Sequence, residues 1–265
     1  MFADKLDVHA HIITGVTSFM QNIDKCIKKA DLELEPDGFI VEILASSRTV
    51  VSDQEKEVGM MLIDIGGGTT DFAIFKEGSV IQTGVVPVGG NHLTYDIAVA
   101  LKVPLVEAER LKVNYGCSLS ENIDEDEKLE VVSFTQKGDV NISRKMLCQI
   151  QEARLTEIFE LLKKQIDRAA SNSIYIASAT LIGGSSHSKD IVDLASGILE
   201  LPVKIGYPEN LMGLSDVVKG PEFCAAVGLL YYGFEKRKNV NSNIGIMKKP
   251  KNYLQKVVNW LGEIF

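Results

Sequence analysis

Eight consecutive residues, Asp64-Ile65-Gly66-Gly67-Gly68-Thr69-Thr70-Asp71, constrain this chain more than any others. They begin at the end of a continuous apolar run at 58–65, typical of a strand buried on both faces, and lead into a second strand-like run at 71–75. A plain hairpin turn needs one or two glycines. Three in a row remove every Cβ from the turn, so the backbone can come close to a ligand. Successive amide N–H groups can then cradle phosphate oxygens. Thr69 and Thr70 add hydroxyl donors. Asp64, at the end of the strand, can hold a magnesium ion through water, because Mg²⁺ keeps much of its hydration. The Walker pattern GxxxxGKS/T is absent, which excludes a P-loop protein.

Around this turn the periodicities predict alternating strands and helices. Leu6, Val8, Ala10 and Ile12 alternate with Asp7, His9 and His11, which predicts a strand without an obvious neighbour. His9 and His11 have metal-pair spacing, but no third ligand is evident, and an exposed strand face accounts for them. A helix is expected at about 17–30, a strand near 38–43 and a helix near 44–52. Lys76-Glu77-Gly78-Ser79 makes a hairpin turn into a strand at 80–88. Helices follow at about 91–101 and 104–115. The acidic stretch 118–130 reads as a solvated loop and 131–142 as strands. Residues 144–171 read as one long amphipathic helix or two in series, and 174–182 as a strand running into Gly183-Gly184-Ser185-Ser186. A helix at 188–199, a short strand at 203–205 and an apolar helix at 221–234 complete the series. Residues 235–250 are polar and read as a flexible linker.

The chain has 265 residues, 45% of them hydrophobic, which is enough for two cores. A net charge of −8 argues against nucleic acid as a partner. Cys26, Cys117, Cys148 and Cys224 are scattered without a CxxC pair and read as reduced thiols. No apolar run approaches the roughly 20 residues needed to span a bilayer. The last stretch, 251–265, is amphipathic. Tyr253, Leu254, Val257, Val258, Leu261, Ile264 and Phe265 share one face, and Trp260 borders it. Lys248, Lys249 and Lys251 precede or open it. Such a helix suits lying in the headgroup plane of an anionic membrane, with Trp260 at the interface. The alternative is docking on the protein's own core.

DIGGGTTD resembles the second phosphate loop of the actin, sugar-kinase and heat-shock-chaperone ATPase superfamily. The wider text is similar to FtsA in order and spacing: VHAHIITG, then LIDIGGGTTDFAIFKEGSVIQTGVVPVGGNHLTYDIAVAL, then PLVEAERLKVNYG. The resemblance runs from about residue 5 to the end. It implies an α/β, actin-like (ribonuclease-H-like) ATPase fold with an incomplete first lobe. Residues 1–56 would be the remainder of that lobe, and 57–235 the second lobe with a subdomain inserted at about 97–177. Residues 236–250 would be the linker, and 251–265 the membrane-targeting helix. ATP and Mg²⁺ would lie in a cleft between the lobes. Gly66, Gly67, Gly68, Thr69 and Thr70 match the phosphate loop, and Asp64 its metal-linked aspartate. Glu109 and Lys112 match a helical E-x-x-K that touches ribose and base. Gly183, Gly184 and Ser185 match the adenosine loop, with Ser185 where a third glycine is usual. Residues 43–51 and 221–233 match two hinge helices.

The resemblance further implies a cell-division adaptor rather than an efficient enzyme. It would tether the FtsZ ring to the inner face of the cytoplasmic membrane at the septum. Its partners would be the FtsZ C-terminal tail, copies of itself in actin-like polymers, anionic lipid and later divisome proteins. The family's first phosphate loop has no counterpart upstream of residue 64, so the chain is expected to begin at the last strand of the inserted domain of the first lobe and, with half of the phosphate clamp missing, to bind ATP weakly on its own and to hydrolyse it less still. A phosphotransferase of the sugar-kinase branch and a PilM-like pilus platform protein are the alternatives. The first needs a catalytic aspartate and a second-substrate pocket, neither of which is identifiable.

Overall fold

The computed structural model describes residues 8, 10–35, 38–134, 139–171, 173–209 and 217–243. Its centre is a five-stranded sheet. Strands β1 (Met60–Ile65), β2 (Thr70–Lys76) and β3 (Ser79–Val86) form an antiparallel meander. Two later strands of this sheet, Ser178–Ile182 and Val203–Ile205, are added in parallel on the far side of β1. The apolar run predicted a strand covered on both faces, and β1 is one. Met61, Ile63 and Ile65 pack into the main core, while Met60 and Leu62 point into a second core on the opposite face. Asp64 has the same parity as Met60 and Leu62 and stands at the edge of that second core.

Helices sandwich the sheet. The main core lies under α6 (Arg144–Ser171) and α7 (Ile191–Leu199). The second core lies under α2 (Glu42–Val50) and Cys224, the first residue of α8 (Cys224–Asn243). A third cluster holds α4 (Gly90–Leu101), α5 (Leu105–Tyr115) and the two-stranded sheet of β4 (Lys128–Val132) and β5 (Asp139–Ser143) against the start of α6. In chain order the two parallel strands, Ser178–Ile182 and Val203–Ile205, are β6 and β7. The 28 residues of α6 therefore serve two cores. The chain divides into two compact units after Leu229.

Gly228 marks a close crossing within the first unit. A Cβ at this position would stand 2.1 Å from the Ala45 carbonyl oxygen on α2. Gly228→Ala must push the two helices apart, at a cost of about 1–3 kcal/mol. Thermal unfolding should show a midpoint several degrees lower. An unchanged midpoint would mean that the crossing is loose.

Several local expectations change. The first helix, α1 (Thr17–Lys29), is present but buries no residue. Its Phe19, Met20 and Ile23 are exposed. The strand expected at 6–12 is not seen at residues 8 and 10–12, where Val8 is 74% and Ile12 79% exposed. Alternation predicts a strand only where an edge is available to pair with. Residues 6, 7 and 9, including His9, lie outside the described residues. Residues 38–41 likewise lack a strand partner, and α2 starts earlier, at Glu42. The acidic stretch is not a free loop. Ile123 is buried, Ser120 N–H donates to Glu152 on α6 at 2.8 Å, and β4 begins at Lys128. Residues 174–177 precede β6 without joining the sheet. The helix α3 (Asp53–Val58) was not anticipated, although Ser52 and Glu55 form a reciprocal capping box. Residues 235–243, expected to open the linker, continue α8. The rest of the linker and the terminal helix, 244–265, lie outside the described residues.

Candidate functional site

The β1–β2 register sets Asp64 directly opposite Asp71 and Ile65 opposite Thr70. Between them Gly66 N–H donates to Thr69 O at 3.0 Å and closes the turn. The carbonyls of the turn are tied to the start of α4. Gly90 N–H donates to Gly66 O, and Asn91 N–H to Gly67 O, both at 2.8 Å. Gly89 makes this approach possible, since a Cβ there would lie 2.6 Å from Gly66 O. Among the described residues, the N–H groups of Gly67 and Gly68 have no protein acceptor. Space beside Gly68 is open, with nothing within 4 Å of a Cβ placed there. These amides are the donors the turn offers a phosphate.

The hydroxyls of the two threonines are engaged within the turn. Thr69 Oγ1 donates to Asp71 Oδ2 and Thr70 Oγ1 to Val88 O, each at 2.8 Å. Thr70 is fully buried. Both hydroxyl protons brace the turn.

On α5, Glu109 and Lys112 share one face and lie 2.7 Å apart. They are more than a surface ion pair. Glu109 also accepts a short hydrogen bond from Thr94 on α4. Lys112 Nζ donates to Thr94 Oγ1 at 2.9 Å and to Gly90 O at 3.1 Å. Burial works against the Glu109 carboxylate, but the bonds from Lys112 and Thr94 outweigh it and hold its pKa below the usual range. The pair therefore locks α5 to the start of α4, which clasps the glycine turn. Ser185 comes to the same place: a Cβ on Gly90 would be 2.7 Å from its Oγ. Gly183 has φ +87°, and a Cβ there would stand 2.3 Å from Asp64 Oδ1. A Cβ placed on Gly184 would meet nothing within 4 Å. The residues singled out in sequence, from 64–70, 109, 112 and 183–185, thus converge around Asp64 and Gly90. His187 bonds Glu222 at 2.7 Å on the exposed side.

A carboxylate that sequence reasoning missed completes the site. Glu42, the first residue of α2, faces Asp64 and Asp71 electrostatically. Burial, then Glu42, then Asp71 push the Asp64 carboxyl up to about 7. Burial and Asp71 also raise Glu42. Directly opposed like charges destabilise a sheet. A divalent cation would relieve this repulsion, so the residues fit Mg²⁺. Among the described residues no group of three His, Cys, Asp or Glu side chains stands close enough to hold an ion. No local signal marked Glu42, because it reaches the site only by the packing of α2.

A groove of about 500 Å³ lies between α4 and α6. Val99, Ala100, Ile150 and Ala153 give it an apolar lining, and Tyr95 lines it as well. Arg154 crosses it from α6, holding Asp96 of α4 at 2.6 and 3.0 Å. Arg154 also bonds Glu157 on its own helix. Below the groove Gln151 is 2% exposed. Its Nε2 donates to Ser188 Oγ at 2.6 Å, and its Oε1 has no partner. An unpaired buried amide oxygen costs about 1–3 kcal/mol.

The model of the family described as cell division protein FtsA matches residues 61–228. The chain belongs to the FtsA family. It is 38% identical over 235 residues to the cell division protein FtsA of Pseudomonas aeruginosa, covering 89% of this chain and 56% of that one. It is 31% identical over 270 residues to the FtsA of Escherichia coli, covering 98% and 64%. The chain thus spans a little over half the length of these curated relatives. Among solved structures, MreB 5 of Spiroplasma citri bound to AMPPNP superposes with a TM-score of 0.66 at 21% identity, covering 87% of this chain and 69% of that one. The PilM–PilN type IV pilus biogenesis complex gives 0.62 at 18% identity, covering 81% and 57%. The α/β, actin-like fold expected from sequence is the fold observed.

The FtsA match runs from β1 into the first turn of α8. It contains every residue of the glycine turn, the α5 pair and the Gly183 loop, but excludes Glu42.

Proposed function

We propose that this chain acts in bacterial cell division as an FtsA-type adaptor, with ATP–Mg²⁺ as a conformational ligand. The convergence of the glycine turn, the Glu109–Lys112 pair and Gly183 on one spot carries the reading. The amides of Gly67 and Gly68 would meet phosphate. Asp64, with Glu42 and Asp71 nearby, would hold the hydrated magnesium. Glu109 and Lys112, with the 183–185 loop, would receive the nucleoside. The magnesium ion would screen the phosphate charge, and the chain's own residues bind and orient the nucleotide.

The adaptor has three further contacts. The α4–α6 groove, apolar with charged sides, suits a short amphipathic peptide lying against helices, and we assign the FtsZ C-terminal tail to it. Copies of the chain would join into actin-like polymers. Residues 251–265 would lie on anionic lipid at the inner face of the cytoplasmic membrane, through Tyr253, Leu254, Val257, Val258, Trp260, Leu261, Ile264 and Phe265. Among the described residues no helix is long and apolar enough to cross a membrane. A single short helix binds lipid weakly, and polymerisation multiplies the attachment by raising effective concentration. Later divisome proteins would assemble on the anchored polymer.

Co-sedimentation with anionic liposomes tests the adaptor reading. The full chain is expected to pellet with the vesicles, and a chain ending at Pro250 to remain in solution. Equal behaviour of the two chains would remove the tether.

A further inference from the structure

Gln151 is a poor choice for a core. It is almost fully buried and one of its two polar atoms is unpaired, whereas a methionine would fill similar space without either penalty. What it touches is informative. Its Nε2 bonds Ser188, which Ser118 also bonds at 2.7 Å, at the end of the loop that begins with Gly183. Its Oε1 sits where a Cβ on Gly116 would come within 2.1 Å, and Gly116 caps α5 through the carbonyl of Lys112. Gln151 thus lies under both parts of the nucleoside end of the site. One turn further along α6, Arg154 crosses the groove to Asp96. The other wall, α4, begins at the phosphate turn through Gly90 and Asn91. Each wall of the groove is anchored on a different part of the nucleotide site, and a single ion pair bridges them.

We infer that nucleotide and groove ligand are energetically coupled, with Gln151 as the positioning residue that transmits the state of the 183–188 loop to α6. The Asp96–Arg154 pair spans the groove and is the contact that an incoming peptide would have to displace. This inference rests on the nucleotide and peptide assignments above. Coupling of this kind is reciprocal: whatever factor the nucleotide imposes on the peptide Kd, the peptide imposes on the nucleotide Kd.

The test measures the affinity of the full chain for a labelled FtsZ tail peptide with and without AMPPNP and Mg²⁺, and for the nucleotide with and without peptide. The wild type is expected to show a change of about fivefold or more, equal in both directions. Gln151→Met is expected to keep the wild-type melting temperature or exceed it, to bind each ligand alone, and to reduce the coupling below about twofold. Ser188→Ala removes the same hydrogen bond from the other side and is read if Gln151→Met does not fold. Binding of both ligands without mutual effect overturns the coupling and leaves the assignments standing. Full coupling retained in the variant overturns the role of Gln151. Failure of the wild type to bind either ligand overturns the assignments and the coupling together.

Discussion

Replacing Asp64 with asparagine is expected to stabilise the ligand-free chain at pH 8 while abolishing its response to magnesium. The carboxyl has a folded-state pKa of about 7 against an ordinary 3.8. Below pH 4 it is protonated in both folded and unfolded chains and affects neither. Between pH 4 and 7 the unfolded chain releases a proton that the folded chain retains, so stability falls as pH rises. Above pH 7 the loss is complete. The shift sets an upper limit of ~4 kcal/mol, and partial solvent access with sharing among Asp64, Glu42 and Asp71 brings the expected gain to about 1–3 kcal/mol. That corresponds to a rise of several degrees in the melting temperature at pH 8, and to little change at pH 4. Magnesium reverses the sign. A cation favours the ionised carboxyl, so Mg²⁺ with nucleotide should stabilise the wild type more at pH 8 than at pH 6, and Asp64→Asn not at all. Equal melting curves for both chains across this range would show that Asp64 is well solvated and that no acidic cluster is held together here.

The second large effect separates two adjacent glycines. Gly183 has a positive φ, and its missing Cβ would fall 2.3 Å from Asp64 Oδ1 and 2.6 Å from Ile65 O. Gly183→Ala incurs backbone strain and a clash with the end of β1, for a combined loss of about 3 kcal/mol or more. Moving Asp64 should also cost the chain its magnesium-dependent nucleotide binding. Gly184, one residue on, has nothing within 4 Å of its missing Cβ and no positive φ. Gly184→Ala should stay within about 0.5 kcal/mol of the wild type. Urea unfolding of the pair decides the matter. Similar losses for both, or for neither, would mean that the 183–184 turn does not rest on Asp64 as described.

Sequence reading reached furthest where one strand or one turn determined the outcome. β1 was legible because both of its faces are apolar, and α6 because its periodicity persists from Arg144 to Ser171. The glycine turn was legible because nothing but close backbone approach calls for three glycines. What failed depended on partners distant in sequence. Alternation at residues 8–12 could not reveal that, among the described residues, no strand pairs with it. The bonds of Thr69 to the Asp71 carboxylate and of Thr70 to Val88 O were not legible, because these acceptors reach the threonines only once β2 and the start of α4 are in place. Glu42 and Gln151 carry no motif. Their roles come from the packing of α2 over β1 and from the crossing of α6 beneath the 183–188 loop. The capping box at Ser52 and Glu55 is the exception. Its signal was present in the sequence, and only its brevity let it pass.

The most direct test of the central claim is calorimetric titration of the full chain with ATP, in magnesium and in EDTA, beside a Lys112→Ala variant. The account predicts saturable binding that requires magnesium and weakens at least about tenfold without the Lys112 ammonium. Heat indistinguishable from dilution, or equal affinity in the variant, would contradict a nucleotide site built from the glycine turn and α5.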